Sequence, residues 1–385
     1  MHSSFLLLPF LPAALAARPF LNEPTTGIDE ALANTPAGTL PDLQGIVGLP
    51  DFDWAARRYM NVSDYTYYRN GAAGEWSYRN NLEAYNRFRL RPRMMVDVTN
   101  IESTLPTTIL GHNFSAPFFI SPCSRGGLAH PDAEKNFVRA AGAENILYIP
   151  AFFATLSMEE IAAEKPSNDS QTLFQQVYLS SNDTETQQLF DRIEGLGTKA
   201  IVFTVDSAAD GNRHRAARYG VGSADSSYTY ITWDYYNKLQ NMTSLPVIPK
   251  GIQSVEDVKL AIEHGAPAVF LSNHGGRQLD GSPSALEVAL EIYEEDPQLF
   301  RQIEIYADGG VRYGADVLKL LALGVRAVGL GRPFMYANTY GVEGVQRAIQ
   351  LLKREIAIDA GNLGVPDLKA IDASYVKWVN NGWYS

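Results

Sequence analysis

A histidine and an arginine stand three positions apart in "LSNHGGRQLDG" (271–281), between paired glycines and just after an apolar run. The stretch is too glycine-rich for a helix and too polar for a core strand, so His274 and Arg277 belong to a loop. A histidine beside a guanidinium offers proton transfer next to carboxylate recognition. Asp206, Tyr68 and Tyr178 complete this set with an acid and two hydroxyls. A second set reads as an anion cradle. "DGGVR" (308–312) and "GR" (331–332) supply backbone N–H groups from Gly309, Gly310 and Gly331, with charge from Arg312 and Arg332. Asp308 could accept hydrogen bonds from a sugar-like hydroxyl chain. Taken singly, "ADGG" is also a tight strand-to-helix turn, and a lone histidine is more often a hydrogen-bonded core residue. Convergence of many such residues argues against both bland readings.

That convergence depends on the elements carrying them. Eight short apolar runs recur: 116–121, 145–151, 173–178, 199–205, 245–250, 266–272, 303–308 and 327–331. Amphipathic helical patterns such as "SVEDVKLAIEHG" and "GADVLKLLALG" separate most of them. Near-continuous apolar strands joined by helical crossovers predict a parallel sheet, and eight predict a closed (β/α)8 TIM barrel in the α/β class. A doubly wound open sheet is the alternative; no G-x-G-x-x-G turn follows the first strand to favour it. In such barrels the active site lies at the C-terminal strand ends and phosphate sits after strands seven and eight. Here those ends carry Gln176 and Tyr178, Thr204 and Asp206, Lys250, then Ser272, His274 and Arg277, then Asp308 and Arg312, then Gly331 and Arg332.

Other chemistries find no support. There is no His/Cys cluster at metal-ligand spacing, no G-x-S-x-G and no phosphate-binding G-x-x-x-x-G-K-[ST]. Cys123 reads as a small site-lining residue. Net charge is −11 over 385 residues, which argues against nucleic acid and anionic membranes as partners.

The ends of the chain read differently from its body. Residues 5–17 form an apolar stretch too short to span a bilayer, closing on Ala14-Leu15-Ala16, so 1–17 is expected to be a signal peptide. Sequons at Asn61, Asn113, Asn168, Asn182 and Asn241 fit a glycoprotein that is secreted or held in the secretory lumen. A single cysteine would by itself suit a reducing compartment. Residues 18–50 read as a linker or surface-wrapping arm, 51–375 as one domain with an N-terminal helical segment, and 376–385 as a tail.

With these residues placed, the chain resembles the FMN-dependent α-hydroxy-acid oxidase and dehydrogenase family, from about Phe52 to about Ala370. The likeness is carried in order by "YYRNGA", "RFRLRPRMMVDVTN", "TTILG", "GLAHPDAE", "SLPVIPKGI", "SNHGGRQLD", "DGGVRYGADVLKLLALG" and "GRPF". It implies FMN as cofactor and oxidation of an L-2-hydroxy acid to the 2-oxo acid, with electrons passing to O2 or another acceptor. His274 would be the base, with Asp206 holding its imidazole. Arg277 and Tyr68 would bind the substrate carboxylate, with Arg213, Tyr178 and Phe153 near substrate. Lys250 would face the flavin N1–C2 region. Pro122, Cys123, Ser124, Ala151, Gln176, Thr204 and Ser272 would line the flavin, and Asp308, Gly309, Gly310, Val311, Arg312, Gly331 and Arg332 its ribityl and phosphate.

The chain departs from the family pattern at several points. Arg125 is unusual in "SPCSRGG", Ala151 stands where a serine is common, and Phe153 replaces the tryptophan of glycolate oxidase. "SAADGNRHR" lacks the family's proline, and the loop from there to Lys250 is short. A bulkier hydroxy acid in a biosynthetic pathway, or a catalytically silent flavin-binding protein, are the rival readings. The acceptor and a homo-oligomer are left open.

Overall fold

The computed structural model describes residues 26–165, 171–222 and 228–379. The expected signal peptide, the sequon at Asn168 and residues 380–385 of the tail lie outside them. Each apolar run carries a strand, the fifth extending two residues past its run: β1 (Phe118–Ile120), β2 (Leu147–Tyr148), β3 (Gln175–Val177), β4 (Ile201–Thr204), β5 (Val247–Ile252), β6 (Ala268–Leu271), β7 (Glu304–Asp308) and β8 (Ala327–Leu330). They pair in parallel in the order β2-β1-β8-β7-β6-β5-β4-β3. A parallel bridge between Tyr148 and Leu173, and Gln176 N–H donating to Pro150 O at 3.0 Å, join β2 to β3 and close the ring. Helices lie between successive strands, among them Val255–Glu263, whose first turn is capped by the Ser254 hydroxyl.

The two-residue period of the strands explains where the polar residues go. Phe119, Ile149, Phe174, Val202, Ile248, Phe270 and Tyr306 share one buried cluster in the barrel interior. Val269, Leu271, Ile305, Ala307 and Val328 belong instead to the cluster packed under the helices. The rings of Phe119, Phe270 and Tyr306 meet edge to face at 5.4–6.3 Å. Each such buried aromatic is worth about 1.5–3 kcal/mol of transfer free energy. A hairpin of strands Thr107–Ile109 and His112–Phe114 sends Ile109 and Phe114 into the same cluster. Two residues further along the inward face, these strands present Ser121, Ala151, Gln176, Thr204, Lys250, Ser272 and Asp308. The floor of the barrel is therefore apolar, and its C-terminal mouth is polar.

Helices Leu49–Tyr59, Val62–Arg69 and Trp76–Arg87 precede the barrel, after a single short turn of helix at Ile28–Ala31. Residues 26–50 form an arm held against the body: Ile46 is fully buried, and Tyr340 OH donates to Pro41 O at 3.0 Å. The segment set apart as a tail begins with a strand, Val376–Trp378, paired antiparallel with Phe88–Leu90. Edge-to-face packing of Trp378 on Phe88 at 4.9 Å holds it there.

Candidate active site

The polar mouth is a connected network. Lys250 Nζ donates to Ser272 Oγ at 2.8 Å and pairs with Asp308 at 3.2 Å. Ser272 Oγ donates to Asp308 Oδ1 at 2.6 Å, and Ser121 Oγ donates to Asp308 Oδ2 at 3.0 Å. Asp308 is thus held by two hydroxyls and an ammonium. Gln176 Nε2 donates to Thr204 Oγ1 at 2.9 Å, while its Oε1 accepts from Phe152 N at 2.8 Å. These side chains are preorganised by one another, which fixes them around whatever enters the mouth.

His274 stands in the left-handed region (φ 58°), an uncommon place for a residue with a Cβ. Its N–H donates to Ser272 Oγ at 3.1 Å, and its Nδ1 lies 3.0 Å from Asp206 Oδ1. A carboxylate only accepts, so Nδ1 carries the proton and Nε2 presents its lone pair to the cleft. Tyr178 OH lies 3.4 Å from that Nε2 and can donate to it. Burial holds the imidazole pKa below its usual value, although Asp206 pulls it upward. The ring is therefore neutral at neutral pH, the state a proton acceptor needs. Asp206 is almost wholly buried, and its Oδ2 has no hydrogen-bond partner among the described residues. Room for it comes from Gly251, where a Cβ would lie 2.5 Å from Asp206 Cβ.

The cleft encloses about 850 Å3, counting its open mouth, within the range of small-ligand and cofactor sites. Lys250, Arg277, Arg312 and Arg332 line it against one carboxylate, Asp308. Arg332 is pulled down to about 10 by burial and by the nearby charge of Arg277. It donates to the carbonyls of Tyr68, Asn70 and Gly275 at 2.7–3.0 Å, which leaves two of its five N–H groups. Arg277 donates only its Nε inward, to His274 O at 3.2 Å, and its terminal nitrogens have no partner among the described residues. An excess of three positive charges suits a phosphate monoester, which carries roughly −1.5 to −2, together with one carboxylate. The donor set therefore fits the FMN and the acid substrate that the sequence resemblance implies.

Most of the sequence-predicted residues meet in this cleft. Tyr68, Pro122, Cys123, Ser124, Ala151, Gln176, Tyr178, Thr204, Lys250, His274, Arg277, Asp308, Gly309, Gly310, Val311, Arg312, Gly331 and Arg332 all line it. Four do not. Ser272 and Asp206 lie behind it as supports of Lys250 and His274. Arg213 turns away, donating to Arg277 O at 3.1 Å and Gln278 Oε1 at 2.6 Å, and it lines an adjoining cavity together with Phe153. Tyr68 does line the cleft, but its hydroxyl donates to Arg125 O at 2.6 Å. To donate to a carboxylate it would have to release that bond.

The glycines of the two loops have a reason the sequence did not suggest. A Cβ on Gly310 (φ 83°) would lie 1.8 Å from Asn81 O, and one on Gly276 (φ 73°) 2.5 Å from Tyr78 N. Both make way for helix Trp76–Arg87. Asn81 and Asn273 exchange two side-chain hydrogen bonds of 2.8 Å each, tying that helix to the His274 loop. Sequence reading missed this pair, because nothing local marks Asn81 as the partner of a residue 192 positions away. It also missed Ser121, whose inward alternation with Phe119 could have revealed it.

Comparison with known proteins places these features in context. The model of the FMN-dependent dehydrogenase family matches residues 56–228 and 223–378. The chain is 36% identical over 359 residues to the L-lactate dehydrogenase (cytochrome) of Saccharomyces cerevisiae, covering 86% of this chain and 60% of that one. It is 33% identical over 364 residues to glycolate oxidase of Spinacia oleracea, covering 86% and 95%. The chain thus spans about 60% of the length of the yeast relative and nearly all of the plant one. Among solved structures, the recombinant flavin-binding domain of baker's yeast flavocytochrome b2 superimposes with a TM-score of 0.83 at 36% identity, covering 91% of this chain and 90% of that one. A mandelate oxidase structure gives 0.80 at 33% identity, covering 87% and 100%.

Proposed function

The chain belongs to the FMN-dependent dehydrogenase family, and from that membership we propose that it oxidises an L-2-hydroxy acid to the 2-oxo acid and passes the electrons to O2 or another acceptor. The observation that carries this reading is His274, oriented by Asp206, in the same cationic cleft as the end of Arg277 that has no partner among the described residues. Arg277 takes the substrate carboxylate in a two-point grip that an ammonium could not copy. Nε2 of His274 accepts the proton that oxidation of a CH–OH group must release. Asp206 then faces an imidazolium, and its buried charge stabilises the protonated ring. Tyr178 OH, 3.4 Å from Nε2, limits where the substrate hydroxyl can sit.

FMN, when bound, supplies the two-electron acceptor of the reaction. The residues that would hold it are Pro122 to Ser124, Ala151, Gln176, Thr204 and Asp308 along the ring and ribityl chain, with Ser272 behind. Lys250 would offer its charge to the ring, and Gly309 to Arg312, Gly331 and Arg332 would bind the phosphate. The test is anaerobic bleaching of the purified yellow protein by a panel of 2-hydroxy acids. Reduction by at least one L-acid is expected, and a flavin that no member of the panel reduces overturns the reading.

We also propose that the protein enters the secretory pathway and carries N-glycans. The apolar segment at 5–17 and the exposure of Asn61, Asn113, Asn182 and Asn241 support this. Expression in a secreting eukaryotic host should give a product whose mobility rises on endoglycosidase treatment. Retention inside the cell without a mobility shift would count against it.

A further inference from the structure

Beside the reaction cleft lies a second cavity, larger at about 1660 Å3 with its open mouth, and Tyr67 forms part of the wall of both. An aromatic ledge leads from one to the other. Phe153 stacks on Tyr178 with ring centres 5.3 Å apart, and Tyr178 is the residue that touches His274. Phe153 is 57% exposed although it is large and apolar, so this ledge has no covering partner among the described residues.

Among the described residues, the charged groups that line the second cavity are Arg125, Arg213 and Asp210. Arg213 and Asp210 face each other at 3.8 Å, and Arg213 is further committed to Arg277 O and Gln278. Arg125 differs. Its guanidinium lies over the Tyr67 ring at 4.8 Å and has no hydrogen bond or ion pair among the described residues. Its backbone is fixed: the carbonyl accepts from Tyr68 OH at 2.6 Å and from Leu128 N at 3.1 Å, and its own N–H donates to Phe153 O at 3.3 Å. A free guanidinium is thus mounted on a fixed backbone and on the ring that separates the two cavities. Bidentate capture of a carboxylate is what this geometry leaves it free to do.

We propose that the substrate is a 2-hydroxy dicarboxylic acid, whose side chain leaves the reaction cleft past Tyr67 and Phe153 and places its second carboxylate on Arg125. This rests on reading the cleft as a 2-hydroxy-acid site. Its first carboxylate sits at Arg277, and the spacer lies on the aromatic ledge. Acids that end in a methyl group forgo the second grip.

The test uses the FMN-loaded full chain and two variants, Arg125→Gln and Arg125→Lys. One arm titrates 2-oxo diacids and length-matched 2-oxo monoacids, which bind without turnover, and follows the flavin difference spectrum. The other arm measures anaerobic flavin reduction by the corresponding 2-hydroxy acids. Wild-type protein should favour the diacid by roughly tenfold or more in both arms, the effect of one charge-assisted hydrogen-bonded pair. Arg125→Gln should abolish that preference while leaving the monoacids unchanged, and Arg125→Lys should restore part of it. Equal handling of diacid and monoacid by the wild type overturns the proposal, as does an equal loss for both in Arg125→Gln. Selective, Arg125-dependent binding of diacids without reduction by any hydroxy acid would support the cavity assignment and overturn only the oxidation reading.

Discussion

Asp206 and His274 meet at 3.0 Å although they project from β4 and from the loop after β6, with the whole of β5 between them. The contact spans the barrel mouth and is made possible by the bare backbone of Gly251 on β5. It sets both the orientation and the tautomer of the imidazole, so it is the relationship on which the proposed chemistry turns.

His274→Ala should keep its FMN and lose flavin reduction. The proposed phosphate cradle lies on the loops after β7 and β8, and a positioned general base is worth roughly 10²–10⁴-fold. Single-turnover reduction under anaerobic conditions isolates this step. A yellow variant reduced at the wild-type rate would remove His274 from the mechanism.

The rate of reduction should be flat around neutral pH and fall on the acid side, below the usual imidazole range. Burial lowers the His274 pKa, so the basic form persists to lower pH before protonation removes it. Asp206 pulls that pKa upward, so Asp206→Asn should move the acid limb to still lower pH while slowing reduction on the plateau. Rate-pH profiles of both proteins decide this, and an acid limb that moves upward in the variant would contradict the assigned pairing.

Arg277→Lys should lower kcat/KM by about 2–5 kcal/mol, the range for breaking a buried charge-paired contact. Steady-state kinetics with any accepted 2-hydroxy acid measure it. Unchanged kinetics would mean that the carboxylate binds elsewhere.

Gly310→Ala should cost about 2–5 kcal/mol of stability, combining a left-handed non-glycine residue with overpacking. The added methyl would press on Asn81 O and displace helix Trp76–Arg87 from the cradle. Thermal unfolding and FMN titration should both show the loss. A variant with wild-type midpoint and cofactor affinity would show that the helix yields freely.

Glu355→Gln should stabilise the protein at pH 8 and not at pH 5. Burial, aided by Asp359, Asp316 and Asp51, raises the Glu355 pKa from 4.5 to about 7. A folded-state pKa above the unfolded one favours the fold at low pH, and that contribution is lost as pH rises from about 4.5 through 7. Glutamine keeps an oxygen for the Gly314 N–H, which Glu355 accepts at 2.9 Å, and never ionises. Melting curves at the two pH values test it, and an equal shift at both would refute the ionic explanation.

The sequence by itself determined the strands, the helices between them and the side of the barrel that carries chemistry. Those features follow from periods of two and 3.6 residues, which are local, and from polar residues recurring at strand ends. "SNHGGRQLD" and "DGGVR" were legible as site loops for the same reason. Tertiary structure alone decided which of those residues meet. Barrel closure brings Asp206 under His274 across β5, turns Arg213 and Phe153 out of the cleft, and commits the Tyr68 hydroxyl to Arg125 O. Docking of helix Trp76–Arg87 explains why Gly276 and Gly310 are glycines. Such contacts join residues as far apart in sequence as Asn81 and Gly310, and no local pattern encodes a partner at that separation.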